Sequence, residues 1–280
     1  MSEGFFQADD CWADINEEYM SEDYRPEESL QEELTGEEKA KRQTISFQML
    51  QGKPYVTWFL IGFTAAVYLA QAISKWQFGT DVVMFYGAKI SAYITYRNEY
   101  WRLITPVFLH GSITHILFNM YALFTLGPSL ENYYGHWDFL RFYLISGFTG
   151  NVFSHVFAPS TISVGASTAL FGLIGAEAMF LYKNRRILRN YKMALRNIGF
   201  VLVVNLMLGL SGGIDNWGHL GGLVGGTLLA WMCGPEMTFV FNEQTQKVSL
   251  VDTVPRSRRE ISCALVTAFF AALAFALQGR

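Results

Sequence analysis

Ser167, His219, His115 and Asn119 are the residues whose chemistry stands out, because each interrupts an otherwise apolar stretch. Ser167 lies in the Gly-rich segment "SVGASTALFGLIGA" (163–176), and His219 opens "GHLGGLVGG" (218–226). A serine hydroxyl is a weak nucleophile until a neighbouring base removes its proton. Histidine titrates near neutrality, so it can take that proton and return it to a leaving amine. His115 and Asn119 are four residues apart and share one helix face. From there they could donate hydrogen bonds to the oxyanion of a tetrahedral intermediate. The backbone N–H of Ser167, near a helix start, is a further donor of that kind. No acid stands where it would complete a triad. Taken alone, Ser167 reads as small-residue packing at a helix contact, and His219 as a hydrogen-bonding partner of another helix. Catalysis becomes the better reading only if these groups reach one place together.

The elements that must position them are membrane helices. The chain of 280 residues is 51% hydrophobic and 16% charged, against roughly 25% charged in average soluble domains. Spanning a bilayer core takes about 20 apolar residues. Seven stretches qualify, at 55–74, 108–127, 138–157, 164–182, 195–211, 217–233 and 261–278. The aromatic-rich segment 75–107 is too long for a simple connector and is expected to be a structured or interfacial element.

Lys and Arg set the orientation. The link "KNRRILRNYK" (183–192) is strongly basic and is placed in the cytoplasm, with "RSRR" (256–259) on the same side. The N-terminus is then inside, in agreement with "KAKR" (39–42), and the C-terminus outside. Segment 75–107 falls outside although it carries Lys75, Lys89, Arg97 and Arg102, which counts against the scheme. In this topology His110, His115, Ser167 and His219 all start helices running inward from the outer face. They lie within about two turns of it at about 1.5 Å per residue. Gly221, Gly222, Gly225 and Gly226 form a flat face on which another helix can come close, which would bring His219 to Ser167.

These segments resemble the rhomboid family of intramembrane serine proteases over roughly residues 85–235. The motifs are "YWRLITPVFLHGSITHILFNM" (100–120), "LGPSLENYYG" (126–135), "SVGASTALFGLIGA" and "GHLGGLVGG", in the family's order and spacing. The resemblance implies an all-α polytopic membrane helix bundle, a six-helix core plus a C-terminal seventh transmembrane helix. It implies Ser167 as nucleophile, His219 as base, and His115 and Asn119 in the oxyanion hole. It gives Trp101 and Arg102 a structural role in the first loop, and Glu131 a role in stabilising the bundle. Two positions depart from the usual pattern. Thr168 replaces the glycine of Gly-x-Ser-Gly, and its bulk beside the nucleophile could narrow the range of substrates or slow the reaction. Phe171 replaces a tyrosine that stacks on the histidine. Gly165 belongs to the serine motif and Gly222 to the glycine face. His110, five residues before His115, is expected to point elsewhere and to be structural. The substrates implied are single-pass or polytopic membrane proteins in the lipid bilayer, cut near its outer face.

Other classes are excluded by what is missing. "GASTA" is not the G-x-S-x-G elbow of soluble hydrolases, H-E-x-x-H is absent, and the glycine runs hold no P-loop. No metal or organic cofactor is implied, and the basic link reads as a topology signal or anionic-lipid contact, not a nucleic-acid site. The polar groups cluster near one face, and repeats or intramembrane acids at the midplane, which would mark a transporter, are lacking. Fourteen of the 24 acidic residues lie within 1–38 beside a single base, leaving ten acids against twenty bases in the rest. The expected division is an acidic, largely disordered cytoplasmic tail over 1–50 and a rhomboid-like transmembrane domain over 51–280, in a bacterial cell membrane. No cleavable signal peptide is apparent. Cys11, Cys233 and Cys263 read as isolated apolar fillers. The link "LSGGID" (210–215) and the fifth segment are candidates for a movable gate.

Overall fold

The computed structural model describes residues 52–188, 190–209, 214–242 and 247–277. The acidic tail, Cys11 and most of the "LSGGID" link lie outside the described residues. Helix α1 (Tyr55–Phe78) is followed by two short helices, α2 (Val82–Gly87) and α3 (Ser91–Arg97), and two 3-10 turns (Tyr100–Leu103 and Thr105–Phe108). Then come α4 (Ile113–Tyr134), α5 (His136–Phe157), α6 (Ser167–Lys183), α7 (Tyr191–Gly209) and α8 (Asn216–Cys233). Strands β1 (Met237–Asn242) and β2 (Lys247–Asp252) precede α9 (Arg256–Ala276).

Each of the seven expected apolar segments coincides with one long helix. By length and composition, α1 and α9 qualify as membrane spans, with mean hydropathies of 1.7 and 1.6. Both are peripheral, and only 22% of each apolar window is buried. The inner helices carry the glycines and polar groups because their neighbours are other helices. The all-α expectation needs one correction. β1 and β2 pair antiparallel, with Phe239 opposite Leu250; this is the strand alternation of "MTFVFN" and "KVSLVD", which the search for apolar runs passed over.

The second segment also begins later than expected. Ser112 is in extended backbone and its hydroxyl accepts from the His115 N–H at 3.2 Å, so the helix starts at Ile113. That is an N-cap satisfying one of the free donors of the first turn. At its other end α4 caps a different helix. Glu131 is 1% exposed and accepts from the backbone N–H groups of Val56 and Thr57 at 2.9 and 2.7 Å, and from the Thr57 hydroxyl at 2.6 Å. Pro54, at the N-cap of α1, has no side-chain cap of its own. A buried carboxylate at the positive end of α1 supplies the missing acceptors, and His136 Nδ1 closes the set at 2.5 Å.

The core is centred on α5, α6 and α8, whose mutual contacts are the most extensive in the molecule. Gly222 and Gly226 make the α6–α8 contact possible. A Cβ at Gly222 would run into the backbone carbonyl of Thr168, and one at Gly226 into that of Gly172. Two cysteines read as isolated are neighbours here. Cys233 of α8, whose thiol donates to Leu229 O at 3.3 Å, lies beside Cys263 of α9.

The 79–112 segment is held by buried cations. Arg102, 1% exposed, donates to Glu99 Oε2 (2.6 Å) and to the carbonyls of Phe85 (2.9 Å) and Ala88 (2.7 Å), and lies over the Tyr93 ring. Trp101 is half exposed and its indole donates to Tyr86 O at 3.1 Å. Lys89 is fully buried. Two of the four bases that opposed the orientation scheme are therefore internal and present no charge at the surface.

Candidate active site

Three helices deliver their polar residues at their first turns. Ser167 is the first residue of α6, His219 the fourth of α8 and His115 the third of α4. His219 Nε2 lies 2.9 Å from Ser167 Oγ, within hydrogen-bond distance. The Phe171 ring stacks on the imidazole, with centroids 4.2 Å apart and planes at 11°. His219 Nδ1 has no hydrogen-bond partner among the described residues, so no carboxylate makes a triad. The backbone of α8 is started by Asp215, whose Oδ1 accepts from the Gly218 N–H at 2.9 Å. That cap sets the first turn, and hence where His219 points.

His115 and Asn119 face the same loop. Asn119 Nδ2 donates to His115 O at 3.1 Å. Gly165, with φ +122°, occupies backbone that L side chains avoid. A Cβ there would lie 2.6 Å from both His115 Cε1 and Nε2, and 3.6 Å from Asn119 Nδ2. Gly165 thus lets the chain turn into α6 and leaves room for the His115 ring next to the serine loop. Ser167 and His115 are partly exposed, whereas His219 and Asn119 are buried, so the serine keeps some access to solvent.

Two expectations are corrected. His110 does not point away. It precedes α4, so helix spacing does not apply to it, and its ring meets His115 edge-on at 5.0 Å. Its Nε2 also faces the Ala166 N–H at 3.5 Å. Thr168 adds no exposed bulk beside Ser167. It is 3% exposed and packs toward α5 and α8, where a Cβ on Gly150 would come within 2.6 Å of Thr168 Cβ. Gly150 and Gly218 provide the space that the extra methyl needs.

Two residues around the site escaped the sequence reading. Gln71, buried in α1, bonds both polar groups of the His110 peptide, accepting from its N–H at 3.1 Å and donating to its carbonyl at 3.2 Å. Lys89 Nζ donates to the carbonyls of Thr161 (2.6 Å), Ala158 (3.0 Å) and Ser154 (3.2 Å) at the end of α5. Its backbone forms a bridge with Ser163, four residues before the serine. In sequence Lys89 is one base among several in a loop, and nothing there distinguishes it.

Burial lowers the Lys89 ammonium from its ordinary value to about 8, offset in part by Asp215. The unfolded chain therefore binds more protons than the folded one between about pH 8 and the ordinary lysine value near 10.5. In that window the Lys89 contribution to stability rises with pH. Lys89→Met leaves Thr161 O unmatched, with an expected loss of about 1–3 kcal/mol at pH 7, and flattens the rise in thermal stability above pH 8. A variant melting like wild type at pH 7 would show that the lysine does not hold this loop.

Comparison with known proteins follows this geometry. A family model described as "Rhomboid domain" matches residues 97–236. The chain is 36% identical over 234 residues to "Rhomboid protease GluP" of Bacillus subtilis, which covers 82% of this chain and 44% of that protein. It is 40% identical over 146 residues to "RHOMBOID-like protein 1" of Arabidopsis thaliana, 52% of this chain and 38% of the relative. It is 36% identical over 188 residues to "Putative rhomboid protease YdcA" of Bacillus subtilis, 64% and 88% of the two chains. The chain thus spans less than half the length of the first two relatives and most of the third. The four motifs that carry the resemblance, between residues 100 and 226, fall inside the matched domain. With half the chain matched and the serine, histidine and glycine-rich segments within it, this integral membrane protein belongs to the rhomboid family of intramembrane proteases.

Proposed function

We propose that the protein is a serine endopeptidase that cuts transmembrane substrates near the outer face of the membrane with a Ser167–His219 dyad. The observation carrying this reading is the 2.9 Å separation of His219 Nε2 and Ser167 Oγ between two helices that glycines allow to touch. In the proposed reaction Ser167 Oγ bonds to the scissile carbonyl carbon as its proton passes to His219. His115, Asn119 and the Ser167 N–H stabilise the oxyanion. The imidazolium then protonates the leaving nitrogen and the C–N bond breaks. Water attacks the resulting ester, gives its proton to His219, and the imidazole returns that proton to Ser167. Stacking on Phe171 takes the place of an acid in orienting the ring.

The same reading treats α1, α4, α5, α6, α7 and α8 as a six-helix membrane core and α9 as a seventh span. The N-terminus is cytoplasmic in a bacterial cell membrane and Ser167 opens outward. Burial of Lys89 and Arg102 supports this, because it removes two charges from the outer side of the count. Helix α7 packs sparsely on α6 and α8, which suits a gate for substrates whose helix must unwind to expose a carbonyl.

The alternative is a rhomboid-like protein that holds membrane clients without cutting them. Reconstitution with a reporter transmembrane protein in liposomes separates the two. The protease reading predicts two fragments whose new ends lie near the outer end of the reporter's span; recovery of intact reporter bound to the protein would support the alternative. Asn119→Ala is expected to lower turnover by about 10²–10³-fold, less than loss of the dyad, because other donors remain. An unchanged turnover would remove Asn119 from the oxyanion site.

A further inference from the structure

Helices α6, α8 and α9 border an open groove of about 630 Å³ at the end of α6 away from Ser167. Helix α6 has 17 residues, so the two places are about 25 Å apart along it at about 1.5 Å per residue. Along α9 the lining runs from Ser257 and Arg258 in the first turn to Ile261 and Leu265 deeper in the span. Lys183 contributes from the last turn of α6 and Trp231 from the end of α8. Trp231, Ile261 and Leu265 are 62%, 59% and 56% exposed, a continuous apolar wall beside a polar mouth.

The charges at this mouth are not equivalent. Arg259 is committed to Asp138 at 2.6 Å and to Asp252. Arg256 bonds Glu260 at 2.9 Å. Arg258 has no ion-pair partner among the described residues and is exposed toward the groove. Lys183 is paired with Glu236 at 3.0 Å, and that carboxylate also lines the space. The mouth therefore carries one uncompensated cation, the hydroxyls of Ser257 and Ser262, and a lysine paired with a carboxylate.

We propose that this groove binds an anionic phospholipid, its phosphate on Arg258, Ser257 and Lys183 and an acyl chain along Trp231, Ile261 and Leu265. Basic pockets between membrane helices on the cytoplasmic side suit such headgroups, and the volume is that of an ordinary ligand site. The apolar wall selects against a free phosphate, and the excess positive charge against a zwitterionic lipid. A lipid seated here joins α9 to α8, the helix that carries His219. The inference rests on membrane embedding and is independent of the dyad.

The test is native mass spectrometry of the detergent-purified full chain, titrated with dioleoyl phosphatidylglycerol, dioleoyl phosphatidylcholine or glycerol 1-phosphate. Phosphatidylglycerol is expected to bind at least about fivefold more tightly than phosphatidylcholine. Arg258→Gln should weaken it about fivefold, the worth of one basic side chain near an anionic surface. Glu236→Gln should tighten it, because it frees Lys183. Equal binding of the two lipids, or variants that leave the ratio unchanged, would overturn the proposal. So would glycerol 1-phosphate displacing phosphatidylglycerol, which would mark a free-phosphate site. Both variants should still react at Ser167 with a serine-directed probe, which separates a failed lipid site from a failed dyad.

Discussion

His219→Ala and Ser167→Ala are each expected to lower cleavage of a reporter transmembrane substrate by on the order of 10³–10⁴-fold or more. The double variant should lose little beyond either single one, because the two side chains act as a unit. The reasoning is geometric. The imidazole is the one base within hydrogen-bond distance of the Ser167 hydroxyl among the described residues, and without it the hydroxyl stays protonated at neutral pH. His219 is buried but its Nδ1 makes no bond among the described residues, so truncating it removes no structural anchor beyond the Phe171 stack. Both variants should therefore keep the wild-type melting temperature within a few degrees. Cleavage by His219→Ala within tenfold of wild type would show that another group activates the serine.

Gly222→Leu is expected to abolish activity by a different route. A Cβ at this position already collides with the Thr168 carbonyl oxygen and lies 2.9 Å from Thr168 C. These are backbone atoms of α6 and have nowhere to go. The helices must separate, and overpacking of this kind costs about 1–3 kcal/mol, or more where backbone is struck. Gly222 is one turn beyond His219, and Thr168 adjoins Ser167. Separation there widens the 2.9 Å contact directly. A loss of at least about 100-fold in turnover is expected with a clear fall in melting temperature, since misplacement of about 1 Å is enough for the former. Gly62→Ala on α1 is the matched control: a Cβ there meets nothing within 4 Å, and alanine is the better helix former. If Gly222→Leu behaved like Gly62→Ala, the close α6–α8 contact would not exist.

Much of this was legible in the residues. Apolar runs located each of the long helices among the described residues, because helices packed on one another or facing lipid carry few charged side chains. The four site residues were found because polar groups in such runs are costly and rarely idle. What escaped notice depends on contacts between segments far apart in sequence. His110 was misplaced by assuming a helix that Ser112 in fact starts two residues later. Thr168 looked like an obstacle to substrate until Gly150 and Gly218, from two other helices, were seen to accommodate it. Lys89 was counted as surface charge, but its ammonium is spent on three carbonyls. The Cys233–Cys263 contact has no signature at thirty residues' separation. The hairpin was missed because its alternation is short and was scored against a twenty-residue window.

The most direct measurement is peptide mapping after reaction with a fluorophosphonate probe, which bonds covalently to a serine only when a base activates it. Wild-type protein in liposomes should carry the phosphonyl adduct on Ser167, and His219→Ala should carry none while remaining folded. An adduct absent from wild type, or formed equally in His219→Ala, would contradict a Ser167–His219 dyad.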